Sequence, residues 1–357
     1  MLGNNLYVNA GVEAGTGFSF QRCSALFVLL DNFSEFKNKQ YFLCFEHHDD
    51  FLFAFLDECN ALSYVNAYQA KKASTKWSTD SKLIDIIRKL TISGNGLRND
   101  NIVKNSDYYH NLHFITNKAI NLSNGVTGKE REKIIINDAI NKFKYVKLAD
   151  KIKSNILAQL NNDFYDDEID NINFEYIDLA NKHNSNVERL IGKMTCIFGA
   201  QITDYNAAVK VLLTLFNQSE LIYNQNNEAS LNDLSKRISS VKIEETLNIL
   251  TDEARAYDFW RIHANELCKT LKVNLNHKRK ADEYLSNCFD YFKDLENIEF
   301  IKILHFVRDN EDIDGECFDE VSGIEALYNE YTKHCKSKLQ PYMICFAIIA
   351  AYVETRG

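Results

Sequence analysis

The sequence predicts an N-terminal α/β domain, a mixed sheet flanked by helices, followed by a mostly α-helical C-terminal region. Three observations predict it. Two aromatic-rich runs, "YFLCFEHHDDFLFAF" and "ALSYVNAYQAKKA", have the look of consecutive strands. Helical patterns precede and follow them, so the order is helix, three strands, helix, strand within about 120 residues, as a sheet covered by helices requires. From residue 184 onward, amphipathic helical patterns succeed one another to the end of the sequence.

The elements follow in order. Residues 16–33, "TGFSFQRCSALFVLLDNF", suit a first helix: Thr16 offers an N-cap, and Phe20, Cys23, Phe27 and Leu30 recur at helical spacing. "GVEAGTG", 11–17, reads as a turn into that helix, since no Lys-Ser/Thr follows as in a nucleotide P-loop. Strands are expected near 41–46, 50–56 and 63–71, cut by the polar knots "EHHDD" and "DECN". "STKWSTDSKLIDIIRKL" supplies serine and threonine caps and then an amphipathic helix, which Lys72, Lys76 and Trp77 would begin. "YYHNLHFITNKAI", 108–120, reads as a fourth strand. The charged stretch "KEREKIIINDAINKFKYVKLADKIKSNILAQL" has a helical period, and "NNDFYDDEIDNINFEYIDL" breaks it with acidic turns and a short strand.

Composition limits the function. The chain has 357 residues and a net charge of -9, which excludes a surface that is basic overall. Contact with phosphate must come from a local patch, a metal ion or a partner. Nine cysteines without CxxC spacing point to reduced thiols in the cytoplasm and away from a zinc site. "MLGNNLYVNAG" lacks the basic and apolar regions of a signal peptide. "YMICFAIIAAYV", 342–353, is too short to span a bilayer and reads as a buried helix suited to packing on another helix or subunit. No membrane association is expected.

The chemistry concentrates around "YVNAYQAKKAS". Gln69 and Lys71 are two residues apart on a strand and share a face, about 7 Å apart at the backbone. Asp50 opens the preceding strand, and Glu46 and Asp49 stand beside it in "FEHHDDF". Phosphodiester hydrolysis uses a divalent metal to neutralise phosphate and activate water, and a positive group near the scissile phosphate. Mg²⁺ (or Mn²⁺) takes oxygen ligands. Asp50, the Gln69 amide oxygen and Glu46 are therefore the candidate metal ligands. Lys71 is the group that reaches the attacking water. Gln21 on the first helix is a supporting candidate, or a packing residue.

"D…QxK" after a leading helix resembles the PD-(D/E)xK restriction-endonuclease-like nucleases, in the variant with Gln in place of the third acid. "GFSFQ", "FEHHDDF", "YQAKKA", "HFITN" and "SKRISSVKIEETL" together resemble the double-stranded-DNA nuclease domain of bacterial anti-phage effectors, over roughly residues 10–250. Those nucleases accompany CD-NTase and Lamassu-type defence systems. The remaining residues look helical and too few for the ligand-sensing α/β domain of the CD-NTase branch, which favours the Lamassu nuclease subunit. The resemblance implies the catalytic set Asp50, Gln69 and Lys71. It implies an SMC-like ATPase and a small accessory subunit as partners and double-stranded DNA as substrate. One site per chain cuts one strand, so a double-strand break needs two sites and a homo-oligomer is the expected active form. The expected division is a nuclease domain at 1–145, its helical extension at 146–257 and a partner or oligomerisation region at 258–357.

Other charged residues have plainer readings. Lys72 and Lys76 are candidate DNA contacts set against a solvated face. Asp49 reads as a turn residue. Adjacent His47 and His48 face opposite ways on a strand, with no third ligand in view, and so read as structural or phosphate-proximal. "SKRISSVK", 235–242, and "NHKRKADE", 276–283, read as solvated basic faces. A non-catalytic DNA-binding or scaffold subunit of the same fold is the alternative function, and an RNA-directed nuclease is a third.

Overall fold

A computed structural model describes residues 10–161, 164–199, 201–202, 204–222, 230–293 and 297–356, with backbone alone for 10–16, 248–254 and 293. Helix α1 (Ala10–Asp31) and the single turn α2 (Phe33–Phe36) come first. Strands β1 (Tyr41–His47), β2 (Asp49–Leu56) and β3 (Leu62–Lys71) follow, then β4 (Trp77–Ser78), helix α3 (Ser81–Asn99), β5 (Lys104–Thr116), β6 (Ile120–Ser123), β7 (Lys133–Ile136) and β8 (Lys142–Lys144). Helices α4 (Asp150–Leu160) and α5 (Asp166–Ile169) lead to β9 (Ile172–Tyr176), α6 (His183–Phe198), α7 (Tyr205–Glu220) and β10 (Ile238–Ser239).

Seven strands form one mixed sheet in the order β10-β1-β2-β3-β5-β9-β8, and β4-β6-β7 form a small second sheet. The centre, β3-β5-β9, is parallel. The β1–β2 hairpin, β8 and β10 pair antiparallel. Alternation divides the residues between two faces. One face carries Cys44, Leu52, Val65, Ala67, Leu112, Phe114 and Phe174, in one apolar core with Leu83, Ile84, Ile87 and Leu90 of α3. Removing a ring such as Phe114 from that core costs about 3–5 kcal/mol. The other face carries Tyr41, Phe53 and Phe55 around Phe36, whose ring stands edge-on to Phe53 at 5.1 Å and to Phe55 at 4.9 Å. Aromatic pairs of this geometry add stability beyond the area they bury.

The sheet, its helices and the sequel of helices are those expected, and several details differ. Helix α1 begins at Ala10, so Thr16 is inside it and "GVEAGTG" is helical rather than a turn. The cap of α3 is Asp80, whose carboxylate accepts from the backbone N–H of Lys82 and Leu83, and not a serine or threonine. Lys72 and Lys76 lie in the loop before β4, and Trp77 is in β4, not in a helix. The fourth strand starts earlier than residue 108 and stops at Thr116; Ile120 belongs to the small sheet. The stretch after residue 130 is α-helical only in α4, with a single 3-10 turn at Tyr145–Lys147 before it. Its first half forms β7 and β8, because Ile134 and Phe143 pack on the core and β8 pairs with β9.

The chain divides into two units, Met1–Ile197 with Val209–Glu244, and Phe198–Ala208 with Glu245–Gly357. The second holds the long helix α8 (Ser240–Thr270) from Glu245 onward, then α9 (Leu275–Arg279), α10 (Ala281–Lys293), α11 (Ile298–Asp309), α12 (Glu320–His334) and α13 (Pro341–Arg356). Helix α13 carries "YMICFAIIAAYV" and is packed by α10, α11 and α12. All residues from Ile344 to Ala351 are buried there. That apolar run is used up within its own unit and is not a free face for another subunit. Among the described residues, no helix is long and apolar enough to cross a membrane.

Candidate active site

The β1–β2 hairpin brings Glu46, Asp49 and Asp50 to one end of the sheet, and β3 brings Gln69 beside them. Phe51 pairs with Tyr68, so Asp50 falls opposite Gln69 on the face that packs on α3. Asp50 is buried; its Oδ2 accepts the Ala70 N–H at 2.8 Å and the Lys71 ammonium at 3.0 Å. Glu46, Asp49, Asp50 and Gln69 line one cleft of about 370 Å³, closed on its other side by Lys89, Ile92 and Ser93 of α3. Gln21 is buried on α1 and donates a hydrogen bond to the Glu46 carboxylate.

Crowded carboxylates set the electrostatics. Burial, and then the charge of Asp50, push the Glu46 carboxyl above its ordinary range, against the pull of Gln21, Lys71 and Lys236. The same two causes push Asp49 up further. Asp49 Oδ1 accepts the Asp50 N–H at 2.9 Å, while Oδ2 is buried with no hydrogen-bond partner among the described residues. An orphaned acid oxygen among like charges is the electrostatic signature of a place for a cation. The oxygens of Glu46, Asp49, Asp50 and Gln69 suit a hard divalent ion, and the imidazoles of His47 and His48 line the same cleft.

The hairpin is strained and held. Glu46 has φ 50° and His48 has φ 60°, a conformation that costs side-chain-bearing residues on the order of 1–3 kcal/mol. Three contacts hold His48. Its Nε2 lies 2.9 Å from Asp100 Oδ2, its carbonyl accepts from Ser93 Oγ at 2.7 Å, and its ring lies against Gly96. A Cβ on Gly96 would meet His48 Nδ1 at 2.8 Å.

The left-handed turn at His48 also overturns the strand geometry expected for the two histidines. His47 and His48 have ring centroids 5.1 Å apart, and a third group is present: His47, His48 and Asp100 each bring a ligand atom within 4.8 Å of the others. Asp100 is already engaged. Its Oδ2 accepts from Leu231 N at 2.8 Å as well as facing His48, and its Oδ1 accepts from Ile102 N at 2.9 Å. Burial alone would raise this carboxyl, but His48 and the two N–H groups hold it down to about 2. As it stands, the trio ties the hairpin to the end of α3.

The remaining expected residues divide. Lys72 and Lys76 are exposed in the β3–β4 loop, outside the set that lines the cleft. "SKRISSVK" is no solvated face. Lys236 is 1% exposed, and burial lowers its pKa, opposed by Cys44 and Glu46 among nearby acids. The Arg237 guanidinium lies 4.2 Å from the Phe42 ring centroid and donates to the Leu231 carbonyl. Sequence reasoning missed Asp49, Lys89 and Lys236. The turn composition around Asp49 hid its burial.

A mixed sheet with an Asp at the start of one strand and Gln-x-Lys at the end of the next is the layout of a restriction-endonuclease-like nuclease. The profile of the family "Cap4, dsDNA endonuclease domain" matches residues 9–219, and the chain belongs to that family. It is a double-stranded-DNA endonuclease of the anti-phage effector class. No curated protein and no solved structure matches the chain.

Proposed function

We propose that the chain cuts double-stranded DNA with a divalent metal held by Asp50, Gln69 and Glu46, with Asp49 supplying further negative charge. The observation that carries this reading is the cleft itself: three carboxylates and an amide converge on it, and Lys71 lies on Asp50. A bound Mg²⁺ or Mn²⁺ would neutralise phosphate charge and lower the pKa of the attacking water. Asp50 holds Lys71 at the end of β3, where its ammonium stabilises charge that develops on the scissile phosphate. Gln21 and Lys236 orient Glu46. Lys89 at the cleft mouth, with Lys72 and Lys76 on the loop beyond β3, meets the DNA backbone, whose phosphates fix position without reading sequence.

In this reading the chain is the effector subunit of a Lamassu-like bacterial defence complex. An SMC-like ATPase and a small accessory subunit hold it inactive, and release permits self-association. One site cuts one strand, so a double-strand break needs two sites brought together. The acidic chain binds DNA weakly as a monomer, and more weakly as salt rises. Residues 258–357 form the partner or oligomerisation region, through surfaces other than the apolar run of α13. The test is incubation of the purified chain with linear and circular duplex DNA, with Mg²⁺ and with chelator. Metal-dependent cutting supports the reading. DNA binding without cutting, in every assembly state, replaces it with the non-catalytic scaffold.

A further inference from the structure

The tip of the β1–β2 hairpin holds side chains that the hard-metal site does not use. His47, His48 and Asp100 each bring one ligand atom within 4.8 Å of the others, and among the described residues no other trio of His, Cys, Asp or Glu converges so. The hairpin supplies the imidazoles, and the residue that ends α3 supplies the carboxylate. The group is enclosed: His47 is 1% exposed, and the side chains of His48 and Asp100 are 11% and 1% exposed.

The spacing suits one ion. Three atoms so close share a point within about 3 Å of each, so ligation at roughly 2.0–2.2 Å asks for shifts below about 1 Å. His48 Nε2 and Asp100 Oδ2 are already 2.9 Å apart, as two neighbouring ligands on one ion are. The backbone pre-arranges the carboxylate. Ile102 N–H donates to Asp100 Oδ1 and Leu231 N–H to Oδ2, which fixes its plane and leaves Oδ2 a second lone pair. Ser93 Oγ donates to the His48 carbonyl, and the bare Gly96 lets the His48 ring lie against α3. Both imidazoles border the cleft of about 370 Å³, which gives an ion a way in and room for water on its open side. Asp49 and Asp50 on the same cleft wall add negative charge.

The donors decide the kind of ion. Two imidazoles and a carboxylate suit Zn²⁺, Co²⁺ or Ni²⁺. Mg²⁺ takes oxygen ligands, and Mn²⁺ is the weakest of the first-row divalent ions at such donors, so this group and the oxygen site select different ions. A His48–Asp100 pair needs one imidazole. The second, buried and within reach of the same point, completes a ligand set.

We propose that His47, His48 and Asp100 bind a divalent ion of the zinc class, which pins the β1–β2 hairpin to the end of α3. The ion takes the place of the hydrogen between His48 Nε2 and Asp100 Oδ2, and the neutral ring keeps its hydrogen on Nδ1. Glu46 and Asp50 ride on the same hairpin, so the ion sets their position without touching substrate. The assignment does not rest on the cleavage reading.

The test uses the full chain, stripped with chelator and titrated with Co²⁺, whose visible absorption reports nitrogen ligation. One equivalent should produce the bands. His48→Asn, which suits the left-handed backbone at φ 60°, should weaken binding by more than about 100-fold, since changes to outer-shell partners alone cost 10–100-fold. Asp50→Ala, which strips the oxygen site, should leave the bands unchanged. Zn²⁺ should raise the melting temperature of wild type and not that of His48→Asn. Proton NMR of the Co²⁺-loaded wild type should show two strongly shifted imidazole N–H signals, a readout that needs no variant. No stoichiometric binding at micromolar Co²⁺, fewer than two such signals, or bands that survive His48→Asn overturn the proposal. So does loss of the bands in Asp50→Ala, because the ion then belongs to the oxygen site. None of these readouts is cleavage, so failure of the nuclease reading leaves them standing.

Discussion

Asp50 holds Lys71: the ammonium of Lys71 lies 3.0 Å from Asp50 Oδ2, and the same oxygen accepts the Ala70 N–H at 2.8 Å. One carboxylate thus fixes both the end of β3 and its lysine. Asp50 is also the most buried of the acids that the proposal assigns to metal. Asp50→Ala should therefore lose metal binding, while Gln69→Glu keeps part of it, because a carboxylate oxygen can replace an amide oxygen toward a hard ion. Calorimetric titration with Mn²⁺ decides this. Equal binding by wild type and Asp50→Ala removes Asp50 from the ligand set.

The raised carboxyl of Asp49 predicts a pH dependence. The folded chain keeps a proton that the unfolded chain releases near its ordinary value of 3.8. Where the native state binds more protons, stability falls as pH rises. Melting temperature without metal should thus fall as pH climbs above the ordinary carboxyl range. Metal affinity should climb over the same interval, since the ion displaces the proton. Asp49→Asn should flatten the fall in melting temperature. A wild-type profile as flat as that of the variant contradicts the crowding of charge in the cleft.

Gly96 is a spacing residue. An added methyl group would press on the ring of His48, whose Nε2 faces Asp100 and whose backbone carbonyl accepts from Ser93 Oγ. Gly96→Ala should shift the hairpin that carries Glu46 and Asp50 and lower cleavage by about 10–100-fold, as displacements near 1 Å do. Measured rates for Gly96→Ala and for an exposed control on the same helix, Lys82→Ala, make the comparison. Equal rates would show that the hairpin tolerates the push.

Assembly should govern activity. Light scattering and cleavage run on the same chromatographic fractions should find cutting in a homo-oligomer and none in a monomer. A strictly monomeric fraction that makes double-strand breaks removes the case for activation by self-association.

The sequence was most legible where pattern and environment agree. Tyr41–Leu56 and Leu62–Lys71 were visible as strands from their aromatic content. The shared face of Gln69 and Lys71 followed from period two, and with it the place of Asp50. Residues 133–144 misled because Lys129 and Lys133 stand four apart like a helical pair, which drew attention from the two-residue spacing of Lys142 and Lys144. These are strands of three or four residues that exist only because the sheet supplies partners, such as Glu175 for Lys142. Lys236 was unreadable because its burial depends on β10 joining β1, a contact across nearly two hundred residues. The histidine pair misled for a local reason: the left-handed turn at His48 breaks the alternation on which the reading rested.

Lys71→Ala tests the central claim most directly. Wild type and variant, matched in melting temperature and assembly state, are incubated with supercoiled plasmid and Mg²⁺. The expected result is nicked and linear DNA from wild type only, with the variant slower by at least about 10²–10³-fold, the usual loss when a charge-stabilising group leaves an active site. Cutting by Lys71→Ala at the wild-type rate would contradict it.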